Sequence, residues 1–296
     1  MRAIKRTIGF ILNHPLGKKH PVKALLRFAY WQLQSRLSKS RFIIKPFIGD
    51  VKFYAAKGLT GITGNIYTGL HEFTDMAFLL HFLRPEDLFF DIGANVGSYT
   101  LLASGHVGSI SITLEPVKST FEILSKNIQL NNLQGQVQLI NAGAGSQTGE
   151  IKFSADEDTG NHVLAENETG KTNTVTVPVI TVDSLSATAP ALVKIDVEGF
   201  ETEVLKGMTN TLNSSTLKAI IIELNGCGER YGFNEKDIHN LLLSHNFKPF
   251  NYDPFNRTLT ELNTFGNYNT IYCRDIDFIN NRLQQATPIK IMGETI

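Results

Sequence analysis

The sequence predicts an α/β protein on a mostly parallel sheet. From about residue 85 onward, short apolar runs alternate with segments of helical periodicity, which is the signature of βα units. One such run, "DLFFDIGANVGSYT", ends in an acid and enters a turn with two glycines four apart. That places a tight turn at the carboxyl end of a strand, where open α/β sheets bind ligands. The composition, 42% apolar and 19% charged over 296 residues, is that of a globular chain long enough to bury a full core.

The elements are expected in the following order. Residues 1–49 hold eleven Lys or Arg and no acid, although the whole chain balances 28 bases with 28 acids. Pro21 suits a first helical position, and Val22, Leu25, Leu26, Ala29, Leu33 and Leu37 follow at helical spacing, with Lys23, Arg27 and Arg36 elsewhere on the wheel. This is an amphipathic basic helix, suited to an anionic partner or to a solvated face packed on the chain's own acidic remainder. The stretch "GLTGITGNIYTG" (58–69) is poor in helix formers and reads as an irregular entrance segment. A helix through Met76, Leu79, Leu80 and Leu83 should stop before Pro85.

Strands are expected at Leu88 to Asp91, Ile110 to Glu115, Val137 to Asn141, Leu192 to Asp196 and Ala219 to Glu223. Helices between them are marked by Phe121, Leu124 and Ile128, by Val204, Leu205, Met208 and Leu212, and by Ile238, Leu241 and Leu242. "KPFNY" and "NTIYCR" read as antiparallel strands at one sheet edge. Residues 146–180 interrupt the alternation with strand pieces around a polar middle, which makes them a candidate lid or a surface hairpin. The expected division is a basic helical extension over residues 1–60 and a main domain over 61–296 carrying that insertion.

Cys227 and Cys273 have no metal-ligand spacing and are too few for a disulfide framework, so both read as buried strand-end thiols in a reducing compartment. The apolar run "IGFIL" falls short of the roughly 7 to 15 residues of a signal-peptide core. No stretch approaches the roughly 18 of a membrane span. A cytoplasmic protein is expected, with peripheral membrane contact as one role for its basic arm.

The chemistry centres on the turn after Asp91. A dinucleotide site would read G-x-G-x-x-G and cradle a pyrophosphate, whereas here Gly93, Ala94, Asn95 and Gly97 give G-x-x-x-G behind a carboxylate. A buried acid there repels a pyrophosphate and attracts a cation. S-adenosylmethionine, a sulfonium with an ammonium on its methionine tail, is such a ligand. The helix starting near Ser98 points backbone N–H groups at the same place. Glu115, at the end of the next strand, stands where an acid accepts hydrogen bonds from ribose hydroxyls, although nicotinamide enzymes use an acid there too. Asn141 and Ala142 end the third strand, beside an adenine edge or in a simple turn. In "LVKIDVEGFE", Asp196 and Glu198 emerge from an apolar strand across the crevice, where two acids need a proton, a metal or a cationic ligand.

Taken together, "GNIYTGLHE", "DIGANVGSYT", "LEP", "NAGAGSQTGE", "VITVDSL", "VKIDVEGFETEVLKG" and "IIIELNG" closely resemble the FkbM family of S-adenosylmethionine-dependent methyltransferases over about residues 60 to 275. The resemblance implies a Rossmann-like class I methyltransferase fold and O-methylation of a hydroxyl on a sugar, glycan or small natural product. It also implies that Asp91, Gly93, Asn95, Gly97 and Glu115 hold the cofactor, with Asp196 near its sulfonium end. The cofactor set is completed by Ala94, Ser98, Tyr99, Pro116, Asn141 and Ala142, and by Glu72 of "GLHE", which also suits helix capping.

Methyl transfer needs a group to take the acceptor's proton, and the candidates are Asp196, Glu198 and His162 on the insertion. Asp196 and Glu198 with a diol acceptor could ligate Mg²⁺, but no third protein ligand is evident, so no metal is assigned. Two other classes share parts of the pattern, a nicotinamide oxidoreductase and a noncatalytic membrane-surface scaffold that binds the cofactor. Nucleic-acid methylation rests on the basic arm alone, and no nucleic acid is expected.

Overall fold

The computed structural model describes residues 2–154, 162–164, 174–266 and 268–296. Three helices open the chain: α1 (Arg2–Asn13), α2 (Pro15–Lys19) and α3 (Pro21–Leu37). Prolines start α2 and α3, where the first N–H lacks a helical partner in any case. His14 caps α2 by accepting the Leu16 N–H at Nδ1, while its Nε2 lies 2.7 Å from the Leu70 carbonyl oxygen. That pattern requires a neutral ring, and burial lowers His14 to about 4.

The extension is not wholly helical, because β1 (Ile43–Pro46) and β2 (Lys52–Ala55) form an antiparallel hairpin. Nor is the glycine-rich stretch after it irregular. It forms α4 (Thr60–Thr68), held by burial of Ile62 rather than by propensity. Gly64 belongs there because a Cβ would collide with the His71 ring. Next come α5 (Phe73–Phe82) and β3 (Leu88–Ile92), and then α6 (Ser98–Thr100), which continues as a π-helical segment, Leu101–Val107.

The alternation then runs β4 (Ile110–Leu114), α7 (Lys118–Leu130) and β5 (Val137–Ile140). In the insertion, β6 (Gly143–Ala144), β7 (Gly149–Ser154) and β8 (Thr174–Ile180) form a small sheet in the order β6-β8-β7. The centre of the expected lid, 155–161 and 165–173, lies outside the described residues. After β9 (Leu192–Ile195), the single helix expected through Met208 is two, α8 (Glu201–Lys206) and α9 (Thr209–Asn213), broken at Gly207 and Met208. The chain ends with β10 (Ala219–Glu223), α10 (Glu235–Ser244), β11 (Lys248–Asp253), β12 (Thr258–Glu261), β13 (Asn269–Cys273), α11 (Ile276–Gln285) and the short pair β14 (Lys290–Ile291) and β15 (Glu294–Thr295).

The main sheet has the order β12-β11-β13-β10-β9-β3-β4-β5, parallel from β10 to β5. The strand order reverses around β3 and β9, which opens a crevice at their carboxyl ends. This is the Rossmann-like class I methyltransferase architecture. β13 lies inside the sheet, antiparallel to both β10 and β11, and β12 forms the edge. The antiparallel strands expected at one sheet edge are there, with β13 the innermost of them and its last four residues buried.

Both sheet faces are covered. Phe89, Leu192, Ile221 and Ile271 pack toward α5 and α11, while Phe90, Val193, Ile220 and Tyr272 pack toward α8 and α10. Cys273 ends β13 and is buried, as expected. Cys227 does not end a strand; it is partly exposed and begins a 3₁₀ turn, Cys227–Tyr231.

Candidate functional site

Period-two alternation sets the site. On the face that carries Phe89, Leu192 and Ile221, two residues further along each strand stand Asp91, Lys194 and Glu223. Register pairs Asp91 with Lys194 across β3 and β9, and Lys194 with Ile221 across β9 and β10. The apolar face therefore turns charged at the carboxyl end of the sheet. There a cavity of about 310 Å³ opens, within the size range of small-molecule sites.

The glycine loop forms its floor. Gly93 has φ +82°, and a Cβ at that position would collide with the carbonyl oxygen of Asp196, so only glycine lets the β3 and β9 loops close on each other. Asp91, 1% exposed, accepts from the Thr100 N–H (3.0 Å) and hydroxyl (2.6 Å), both at Oδ2, and so ties the loop to α6. Burial raises it to about 6 against those hydrogen bonds. Glu115 accepts the Asn95 N–H at Oε2 and the Val117 N–H at Oε1, each at 2.9 Å. Burial pushes its carboxyl up to about 8 although both bonds favour the ionised form. A carboxylate oxygen has two lone pairs, so each Glu115 oxygen keeps one acceptor position beyond these bonds.

A charged network closes the other side. Lys194, 1% exposed, pairs with Asp196 (3.1 Å), donates to Asn269 Oδ1 (3.1 Å) and lies 5.4 Å from the Tyr99 ring centroid. Burial alone would lower its pKa, but Asp196, Glu72 and Glu223 outweigh that and raise it. Asn269 Nδ2 bridges Glu72 (2.9 Å) and Asp75 (3.2 Å), and the Tyr99 hydroxyl donates to Glu72 at 2.7 Å. Burial, then the Glu72 charge, lift Asp75 to about 7.

Glu198 stands at φ +55°, past the end of β9, and burial together with the Asp196 charge raises it to about 7. Glu201, at the start of α8, accepts the Val197 and Gly199 N–H groups and fixes this loop. Glu223 is raised by burial and by Asp196, and its Oε2 has no hydrogen-bond partner. Oxygens of Asp196, Glu198 and Glu223 lie within 4.8 Å of one another. Glu223 is thus the third metal-capable ligand that the sequence did not reveal, although Lys194 already supplies a counter-charge.

Of the expected residues, Glu72, Asp91, Gly93, Ala94, Asn95, Ser98, Tyr99, Glu115, Pro116, Ala142, Asp196 and Glu198 all line the cavity. Gly97 and Asn141 do not line it. Gly97 faces Leu124, and Asn141 donates to the carbonyl oxygens of Glu115 and Pro116, so both shape the loops from behind. His162 is buried and its N–H donates to Ser154 Oγ in the insertion; it is not among the lining residues. The sequence reading missed Lys194, Glu223, Asn269 and Asp75. Lys194 had a signal, a cation among four apolar residues of a buried strand. Asn269 had none.

The chain matches the model of the methyltransferase FkbM domain over residues 91–249. It is 31% identical over 214 residues to the hexuronic acid methyltransferase AglP of Haloferax volcanii, covering 69% of this chain and 82% of that protein. The chain belongs to the FkbM methyltransferase family. S-adenosylmethionine is the cofactor of that family. A protein called Methyltransferase 1, from Beauveria bassiana, is 27% identical over 165 residues, 47% of this chain and 66% of that one. The crystal structure of an FkbM methyltransferase from Methylobacillus flagellatus KT aligns with a TM-score of 0.46 at 16% identity, over 71% of this chain and 52% of that chain, so this FkbM protein spans about half of that structure's length.

The donor set fits a cationic cofactor. Asp91, Glu115, Asp196, Glu198 and Glu223 surround a cavity whose one buried lining cation is Lys194, among the described residues. The Gly93 turn, closed against the Asp196 carbonyl, lines the same cavity.

Proposed function

We propose that this protein is an S-adenosylmethionine-dependent O-methyltransferase acting on a hydroxyl of a sugar, a glycan or a small natural product. The observation that carries the reading is the convergence, on one cavity, of the Gly93 turn, the Glu115 carboxylate and the acidic mouth at Asp196 and Glu198. When bound, S-adenosylmethionine supplies a methyl group made electrophilic by a sulfonium. Glu115 holds the ribose hydroxyls, and the backbone at Gly93 to Asn95 takes the body of the cofactor. Asp196, pinned by Lys194, holds the cationic end.

Glu198 is the acceptor of the substrate proton. Its carboxyl sits near 7, where a general base combines availability with driving force. The acidic walls favour a neutral hydroxyl at the reacting position and require that any carboxylate of the sugar point away from them. They equally disfavour the pyrophosphate of a nicotinamide cofactor. The name of the Haloferax relative, a hexuronic acid methyltransferase, supports a sugar acceptor. In the same reading residues 1–60 are an extension and 61–296 the catalytic unit, which works in the cytoplasm with its basic extension turned to an anionic surface.

The test is transfer of label from cofactor to glycan and small-molecule fractions, followed by single-turnover kinetics with the labelled acceptor. Asp196→Asn should lower the rate at least about a hundredfold by loss of positioning, and Glu198→Gln should cost about 10² to 10⁴. Only the second should abolish the rise in rate through pH 7. If both variants match the parent, the proton goes elsewhere and His162 is the next residue to replace.

A further inference from the structure

α3 carries two apolar faces, and only one of them is packed. Ala24 and Trp31 are buried in the cluster that includes Ile62 and Tyr67 of α4, and the Phe28 ring meets Tyr67 edge-on at 5.3 Å. The second face is Val22 (69% exposed), Leu26 (62%), Tyr30 (62%), Leu33 (57%) and Leu37 (72%). Their spacing of four, four, three and four residues confines them to an arc of roughly 80° along about 22 Å of helix. Single exposed apolar residues are ordinary, but a continuous stripe of five marks a binding surface.

The charge around the stripe identifies what it binds. Lys23 and Arg36 are exposed on its two flanks. Beyond its end, Lys39, Arg41 and Lys57 line a shallow cavity. Residues 1–49 contain no acid. A second copy of the chain, docked stripe to stripe, would bring two sets of these cations together with nothing in the segment to neutralise them. A nucleic acid would match the cations but leave the leucines in water. An anionic lipid surface satisfies both, because apolar side chains enter the acyl boundary while Lys and Arg meet the headgroups.

We propose that α3 is an interfacial helix that seats the protein on an anionic membrane leaflet, with the Lys39, Arg41 and Lys57 cavity receiving a lipid headgroup. α3 packs on α4 through its other face, so α3 lies between α4 and the surface on which the stripe docks. This deepens the reading of the basic extension given above and does not depend on methyl transfer.

The test uses the full-length protein and sedimentation with phosphatidylcholine vesicles, with and without phosphatidylglycerol. Binding should require phosphatidylglycerol and weaken with salt. Leu26→Gln combined with Leu33→Gln should weaken it at least about tenfold, the effect of removing two large apolar side chains from the lipid. Lys23→Glu with Arg36→Glu should do the same. Thermal midpoint and cofactor affinity should be unchanged in both variants, because these residues are exposed and are not among the cavity-lining residues. Unchanged vesicle binding by the leucine variant, equal binding to pure phosphatidylcholine, or a solution dimer that the leucine variant dissolves would each overturn the proposal. Loss of label transfer with vesicle binding intact would instead count against the acceptor reading alone.

Discussion

Glu115 concentrates the case for the cofactor in one side chain. Its two oxygens each accept a backbone N–H, so it braces the Asn95 loop as well as serving, in the proposed reading, as the ribose acceptor. Charge-assisted hydrogen bonds contribute roughly 1.5 to 3 kcal/mol each. Glu115→Ala should therefore weaken S-adenosylmethionine at least about tenfold and also lower the thermal midpoint, since two N–H groups lose their acceptor. Calorimetry showing parental affinity would remove Glu115 from the site. Asp91 and Glu115 were legible in the sequence because each follows an apolar run at a strand end, where an acid is costly unless used. Asn269 was not legible. It lies 75 residues from Lys194, and only the insertion of β13 beside β10 brings the two within 3.1 Å.

At the scale of elements, the parallel strands were readable because they are short apolar runs, the inner ones, β3, β9 and β10, mostly buried on both faces. α4 was not, since its four neighbouring glycines obscure a helix that tertiary packing alone supports. β12 carries no apolar pattern, its residues being mostly exposed. The joints between elements lie beyond pattern reading altogether. Asn127 of α7 is such a joint: Oδ1 accepts the Tyr54 N–H of β2 and Nδ2 donates to the Val96 carbonyl oxygen, both at 2.8 Å. It is wholly buried. One side chain thus ties the N-terminal hairpin to the cofactor loop. Asn127→Ala should cost about 2 kcal/mol and lower the melting temperature by roughly 4 to 8 °C, with weaker cofactor binding because Val96 adjoins Asn95. A calorimetric melt superimposable on the parent's would show that the joint carries no stability.

Across the whole molecule, the buried carboxyls make the free protein and its complex respond differently to pH. Burial holds Asp91 near 6, Asp75, Glu198 and Glu201 near 7, and Glu115 near 8. A pKa raised by folding contributes stability that is full below the unfolded value and lost as pH rises through the folded one. His14 and His81, both lowered to about 4 by burial, work the other way. Their contribution is complete above pH 6.5 and lost as pH falls toward 4, so between pH 6.5 and 8 the carboxyls act without them. Free protein should therefore lose thermal stability across that window. A cation in the cavity favours the ionised carboxylates, so binding expels protons, and each proton expelled raises affinity tenfold per pH unit. S-adenosylmethionine should bind at least about tenfold more tightly at pH 8 than at pH 6.5, with proton release visible as a dependence of the calorimetric enthalpy on the buffer's ionisation heat. An affinity that stays level across this range, with no buffer dependence, would mean that the cofactor's charge does not sit among these acids.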